Sequence, residues 1–95
     1  MKYPPSILTN NLQECYICKT TMRVEVHHVL HGANRKNATK YGLVIGLCDK
    51  HHRNGRYAVH RNNVMDEQLI QIAQTKFEEI HGHDKWMEVF HKSFL

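Results

Sequence analysis

The residues of this chain whose types and spacing could do chemistry are its nine histidines and three cysteines. Cys15-x-x-Cys18 and Cys48-x-x-His51 form two pairs with two-residue spacers, and such a spacer lets one turn present two ligands to the same ion. Thiolate and imidazole are the preferred donors of tetrahedral zinc, so Cys15, Cys18, Cys48 and His51 are the expected ligands of one structural Zn2+. Taken singly, each cysteine would be a small buried hydrophobe; the matched spacing of the pairs is what points to zinc. Four protein ligands leave no open position, so a site of this kind supplies folding free energy and does no chemistry. Three cysteines cannot close among themselves as disulfides.

The remaining histidines divide by position. His27 and His28 end an alternating apolar and polar run, and His52 follows His51 directly. Neighbours on a strand point to opposite faces, so His27 and His28 are expected to serve different roles. Neighbours on a helix diverge by about 100°, which turns His52 away from the zinc and toward the strand end carrying His27, with His60 placed to close the same site. A lone strand-end histidine is usually just that; two histidine pairs in sequence are the signal. His31 is expected in a loop, as a plain loop residue or a phosphate contact. His81, His83 and His91 are expected at helix ends and on the surface, where a cationic ring suits a helix C-terminus.

The elements that must position these groups are short. Residues 1–13, with Pro4-Pro5, are expected as an extended, mobile arm. Residues 15–21 form the knuckle, residues 22–29 a strand and residues 42–47 a second strand. The stretch 30–41, with Gly32, Asn34 and Asn37, is expected as a loop. Residues 48–55 start a short helix stopped by Gly55 in the left-handed C-terminal role. A longer helix runs from a cap at Asn63 or Asp66 to about Ile80, with apolar positions at Leu69, Ile72, Ala73, Phe77 and Ile80. Of these, Leu69, Ala73, Phe77 and Ile80 are expected to pack over the metal module. Gly82 ends that helix, and Asp84 caps a last one that buries Trp86 or Met87 with Val89 and Phe90.

The fold class that follows is α+β in a single domain over 1–95: an arm at 1–13, the knuckle and core at 15–60, and C-terminal helices at 64–95. The 95 residues are 41% hydrophobic, with five Gly and two Pro, which excludes collagen-like and low-complexity classes. A domain of this size buries only about 60–65% of its unfolded surface and often needs a staple beyond its core, a need zinc would meet. No apolar run approaches the roughly 18 residues of a membrane helix, and MKYPPSILTNNLQ has no signal-peptide core, so a cytoplasmic protein with reduced cysteines and no membrane partner is expected. The net charge is +4. Arg35, Lys36, Lys40, Lys50, Arg53, Arg56 and Arg61 share their stretch with a single acid, Asp49, whereas acids outnumber lysines from Asp66 onward. A local basic stretch suits nucleic acid, whose phosphates give binding its electrostatic base; a solvated surface is the alternative.

Cys15-x-x-Cys18, then Glu25-Val26-His27-His28-Val29, then Leu47-Cys48-x-x-His51-His52 resembles the HNH endonuclease family of the His-Me finger group, over about residues 15–60. KYGLVIGLCDKHHRNGRYAVH and FEEIHGHDKWMEVF are also similar to small phage-encoded HNH proteins. The resemblance implies a zinc-stabilised ββα-metal core, two antiparallel strands and a helix clasping one divalent ion. It implies a metal-dependent cleavage of DNA phosphodiester bonds, in the host cytoplasm if the protein is phage-encoded. Position by position it makes His28 the general base, with His27 and His52 as ligands of a catalytic ion, and His51 stands where most zinc-knuckle members carry a fourth cysteine. His60 is added from its position. The ion could be Mg2+, Mn2+, Ni2+ or Zn2+. Arg35, Lys36, Lys40, Arg53 and Arg56 would neutralise flanking phosphates. The family's middle Asn falls near Leu43 or Val44, and Asn34, Asn37 or a backbone carbonyl could take its part. That departure leaves open a non-catalytic zinc-knuckle nucleic-acid-binding module or a protein-binding adaptor. A homodimer is also open.

Overall fold

Val24 and Val26 alternate with Glu25 and His27, and this period of two forms strand β1 (Val24–His28). It pairs antiparallel with β2 (Val44–Cys48), Val24 opposite Cys48 and His27 opposite Ile45. The computed structural model describes residues 5–55 and 58–95. Residues that face each other across a ladder share a side of the sheet. Glu25 and His27 therefore share one side with Leu47 and Ile45, and Val24, Val26 and His28 share the other with Cys48, Gly46 and Val44.

Two strands alone are marginal in water, and the N-terminal segment covers the free edge of β2. Ser6 Oγ donates to the Val44 carbonyl at 2.6 Å. The Ile7 and Tyr16 amides donate to the carbonyls of Gly42 and Gly46 at 2.9 and 2.8 Å. The expectation of a mobile arm thus needs revision for residues 5–13, where Ile7 and Leu8 pack against the core; residues 1–4 lie outside the described residues. Gly46 permits the close approach, because a Cβ there would come within 2.6 Å of the Leu12 and Glu14 carbonyl oxygens.

The connection between the strands is not the expected loop. A 3-10 turn at Gly32–Asn34 leads into helix α1 (Arg35–Lys40). RKNATK holds no glycine or proline, and its Arg, Lys and Ala are good helix formers. Ala38 anchors the helix, fully buried, and its carbonyl receives the Leu43 amide at 2.8 Å. Gly42, expected to open the second strand, ends this helix at φ +73°. After β2 the chain makes a single π-helical turn, Lys50–Asn54. Gly55 follows it in extended backbone, φ −80°, not in the left-handed conformation expected.

Helix α2 (Asn63–His81) is capped by Asn62, whose side chain accepts from the Val64 and Met65 amides, in place of Asn63 or Asp66. Its buried face is Leu69, Ile70, Ala73, Gln74 and Phe77. Ile72 and Ile80, expected on that face, are 43% and 53% exposed; Ile72 projects from the opposite side of the helix, and Ile80 lies in its last turn. Helix α3 (His83–Phe90) starts from Gly82 with no side-chain cap, so Asp84 is not one. Trp86 and Phe90 stack on each other and against Phe77, with ring centroids 4.3 to 5.8 Å apart. One core runs from Cys15 and Cys48 through Ile45, Leu47 and Leu43 to Phe77 and Trp86. The molecule is a small mixed α and β protein, and no described helix is long and apolar enough to cross a membrane.

Candidate functional site

Two clusters of metal-ligating side chains flank the junction of β2 and the π turn. In the first, Cys15, Cys18, Cys48 and His51 each offer a donor atom within 4.8 Å of the other three. The knuckle is held by the Cys15 amide donating to the Thr20 carbonyl at 2.8 Å and the Lys19 amide to the Cys15 carbonyl at 2.9 Å, with Lys19 left-handed at φ 67°. A single bridge between Cys15 and Gly46 docks it on β2. Cys18 Sγ lies 3.7 Å from Cys48 Sγ, and His51 Nδ1 lies 3.7 and 3.2 Å from the sulfurs of Cys15 and Cys48. Tetrahedral zinc at about 2.3 Å from sulfur and 2.05 Å from nitrogen sets ligand separations of about 3.8 Å between sulfurs and about 3.6 Å between sulfur and nitrogen. The donor set fits such an ion in type, number and spacing. Burial pushes the Cys15 thiol up, but the backbone amides of Cys18, Cys48 and Ile17 outweigh it and bring the pKa down to about 6, so the thiolate a metal requires is accessible near neutral pH. Burial and the neighbouring Cys18 and Cys15 push Cys48 up, against the His51 amide.

The second cluster is built on the other side of the same elements. His27, on the face opposite Cys48, meets His52, which follows His51 on the π turn; His51 and His52 thus face different clusters, as the helical divergence predicts. The segment after the turn folds back, the Val59 and His60 amides donating to the carbonyls of His51 and His52 at 2.9 and 3.2 Å. This brings His60 Nε2 to 3.0 Å from His52 Nε2, within hydrogen-bond reach and somewhat closer than the roughly 3.4 Å between two nitrogens on one tetrahedral ion. His27, His52 and His60 each offer a donor within 4.8 Å of the other two. His27 and His52 are 3% and 4% exposed. His27 Nε2 and His52 Nδ1 are buried with no hydrogen-bond partner among the described residues, and buried polar atoms are seldom left so. An orphaned imidazole nitrogen beside two further imidazoles fits a divalent ion. Burial first, then His52, His31, His60 and His28, hold the His27 pKa down to about 3, so the ring is neutral and its lone pair free for a metal. Burial, His60 and Arg53 also lower His52, while Glu25 pulls the other way.

His28 lies on the opposite face of β1 from His27. Burial, then Arg35 and His31, push its pKa below the usual histidine value. Arg35, Lys36 and Lys40 are exposed on α1 rather than in a loop. Arg53 is exposed and pairs with Glu25 at 3.6 Å. Arg56 lies outside the described residues. Leu43 and Val44, where the middle Asn of the resembled family would fall, are fully buried.

Two residues escaped the sequence reading. Glu25 Oε1 stands 3.6 Å from His52 Nδ1, an outer carboxylate of the kind that orients a ligating imidazole. It precedes His27 by two positions, so strand alternation put it on the His27 face. Asp66 accepts from His31 Nε2 at 2.8 Å, and His27, His31 and Asp66 also offer donors within 4.8 Å of one another. The chain matches no protein-family model, no curated protein and no solved structure.

Proposed function

We propose that this protein is a metal-dependent endonuclease of the HNH type, hydrolysing DNA phosphodiester bonds on a zinc-stabilised ββα-metal core. One observation carries the reading: the buried, unpartnered Nε2 of His27 stands among the imidazoles of His52 and His60, beside a separate cluster suited to structural zinc. His27, His52 and His60 would hold the ion and leave positions open. A divalent ion so bound supplies Lewis acidity toward a phosphoryl oxygen and the leaving oxygen. His28 takes the proton of the attacking water; burial, then its neighbours Arg35 and His31, disfavour the imidazolium, which suits the ring to accepting a proton. The Glu25 carboxylate, 3.6 Å from His52 Nδ1, acts on that ring by charge rather than by a hydrogen bond. Arg35, Lys36, Lys40 and Arg53 neutralise flanking phosphates and position the duplex without reading bases.

The test is cleavage of supercoiled plasmid by zinc-loaded protein across Mg2+, Mn2+, Ni2+ and Zn2+. His28→Ala is expected to lower the rate by about 10²–10⁴-fold, the usual worth of a general base. Equal rates in both proteins, or no cleavage by either with any metal, refute the mechanism. A non-catalytic nucleic-acid-binding module is the second reading. It is favoured by the buried Leu43 and Val44 at the place of the family's Asn, and plasmid binding without cleavage would establish it.

A further inference from the structure

The three sulfurs of the zinc-type cluster are not equally protected. Cys15 and Cys48 are buried, whereas Cys18 is exposed. Cys18 and Cys48 line one surface depression together with Arg23 and Lys50, whose charge is opposed there by Asp49. A small polar oxidant can therefore reach Cys18 from solvent, and neighbouring positive charge favours a thiolate over a thiol. Cys18 Sγ stands 3.7 Å from Cys48 Sγ. A disulfide is about 2.0 Å long, so these sulfurs bond after closing by about 1.7 Å. An accessible thiolate with a second thiol close behind it is the arrangement in which cysteine oxidation is both easy and reversible.

We propose that Cys18 is a site of oxidation by hydrogen peroxide and that Cys48 resolves it, the disulfide between them expelling the zinc. This rests on the reading of Cys15, Cys18, Cys48 and His51 as a structural zinc site. In the first step a lone pair on Cys18 Sγ attacks one peroxide oxygen. The S–O bond forms, the O–O bond breaks, and hydroxide leaves and is protonated by solvent, so Cys18 becomes a sulfenic acid. In the second step Cys48 Sγ attacks the Cys18 sulfur. The S–S bond forms, the S–O bond breaks, and a second hydroxide leaves. Two thiolates give up two electrons, and peroxide takes them in becoming two waters. The thiolate is the metal ligand, so the ion keeps only Cys15 and His51 and departs. The zinc site joins the knuckle to the end of β2 and to the π turn, which also carries His52. Oxidation at Cys18 therefore loosens the histidine cluster as well, and a thiol reductant with fresh zinc reverses it.

The experiment treats full-length protein carrying one equivalent of zinc with an excess of hydrogen peroxide. Released zinc is followed with a chromogenic chelator, and free thiols are alkylated before the disulfide is mapped by mass spectrometry of unreduced peptides. Wild type is expected to release its zinc, with the new bond between Cys18 and Cys48 and with Cys15 alkylated. Dithiothreitol and zinc are expected to restore the starting form. Cys18→His keeps four donors of the types zinc prefers and removes the exposed thiol. Its zinc release is expected to be slower by about tenfold or more, because the accessible thiolate is gone. Met22 lines the same depression and is 73% exposed, so its sulfoxide reports that peroxide has reached the surface. Zinc that stays bound while Met22 is oxidised refutes the proposal and spares the zinc site. So does release with a bond between Cys15 and Cys48, or release at equal rates in wild type and Cys18→His. Wild type that holds no zinc before oxidation overturns both. If Cys18→His does not hold zinc, the wild-type disulfide map decides alone.

Discussion

Leucine in place of His27 removes a buried nitrogen that has no hydrogen-bond partner among the described residues. The ring is 3% exposed, beside Ile45 across the ladder, and with a pKa of about 3 it is neutral at pH 7. The cost of burying it is that of one unsatisfied polar atom rather than a charge, about 1–3 kcal/mol. Leucine fills a similar volume without that atom. In protein loaded with one equivalent of zinc and no other ion, His27→Leu is expected to raise stability by about 1–3 kcal/mol. A domain of this length translates each kcal/mol into a Tm rise of about 4–8 °C. Mn2+ should narrow or reverse the order. At a concentration 100 times its Kd, the wild type gains about 2.7 kcal/mol, while the variant has lost the ligand and gains little. Circular dichroism melts with and without Mn2+ measure both effects. A variant that melts below wild type without Mn2+, or gains as much from Mn2+ as wild type does, refutes the reasoning that this histidine is kept for a ligand at the expense of stability.

Two further outcomes are expected. Stripping zinc, or Cys15→Ser, should abolish the cooperative melt: the four donors come from the knuckle, the end of β2 and the π turn, and a structural zinc contributes about 10–16 kcal/mol in small domains, as much as the whole stability of a typical domain. A chelated protein whose Tm stays within about 5 °C of the zinc-loaded form, less than the shift of a single kcal/mol or so, contradicts this. Glu78 is held below its ordinary pKa by the Gln74 amide and by His83, against a smaller effect of burial. Its contribution is therefore present above the ordinary carboxylate value and is lost as pH falls through the lower, folded one. Between pH 5 and 3 the wild type should lose more stability than Glu78→Gln, and parallel losses in urea melts would rule the linkage out.

The sequence by itself determined the two strands, the long amphipathic helix and the pairing of Cys15-x-x-Cys18 with Cys48-x-x-His51, because each rests on local spacing: a period of two, a stripe at three and four, a two-residue spacer. The separation of His51 from His52 was legible for the same reason, since neighbours on any helical turn diverge. Asn34 and Asn37 are turn residues by type and mask helix α1 in the sequence, while what stabilises it is the burial of Ala38 against the body of the protein. Ile80 read as core although it lies in the last turn of α2, and Asn62 took the cap from its neighbours; a periodicity of 3.6 gives a face but not the ends of the helix that presents it.

The tertiary structure alone decided which distant groups meet. Glu25 and Asp66 each carried a local sign of facing inward, an acid on the His27 side of β1 and an acid on the apolar side of α2. Neither sign names a partner. His52 for the first and His31 for the second come from elements far away in sequence, brought together by the register of β1 on β2 and the packing of α2 into the shared core. Spacing fixes ligands that share a turn, because the chain between them is too short to place them otherwise. Ligands on separate elements are fixed by packing, which depends on the burial of the whole core and cannot be read from any one segment of it.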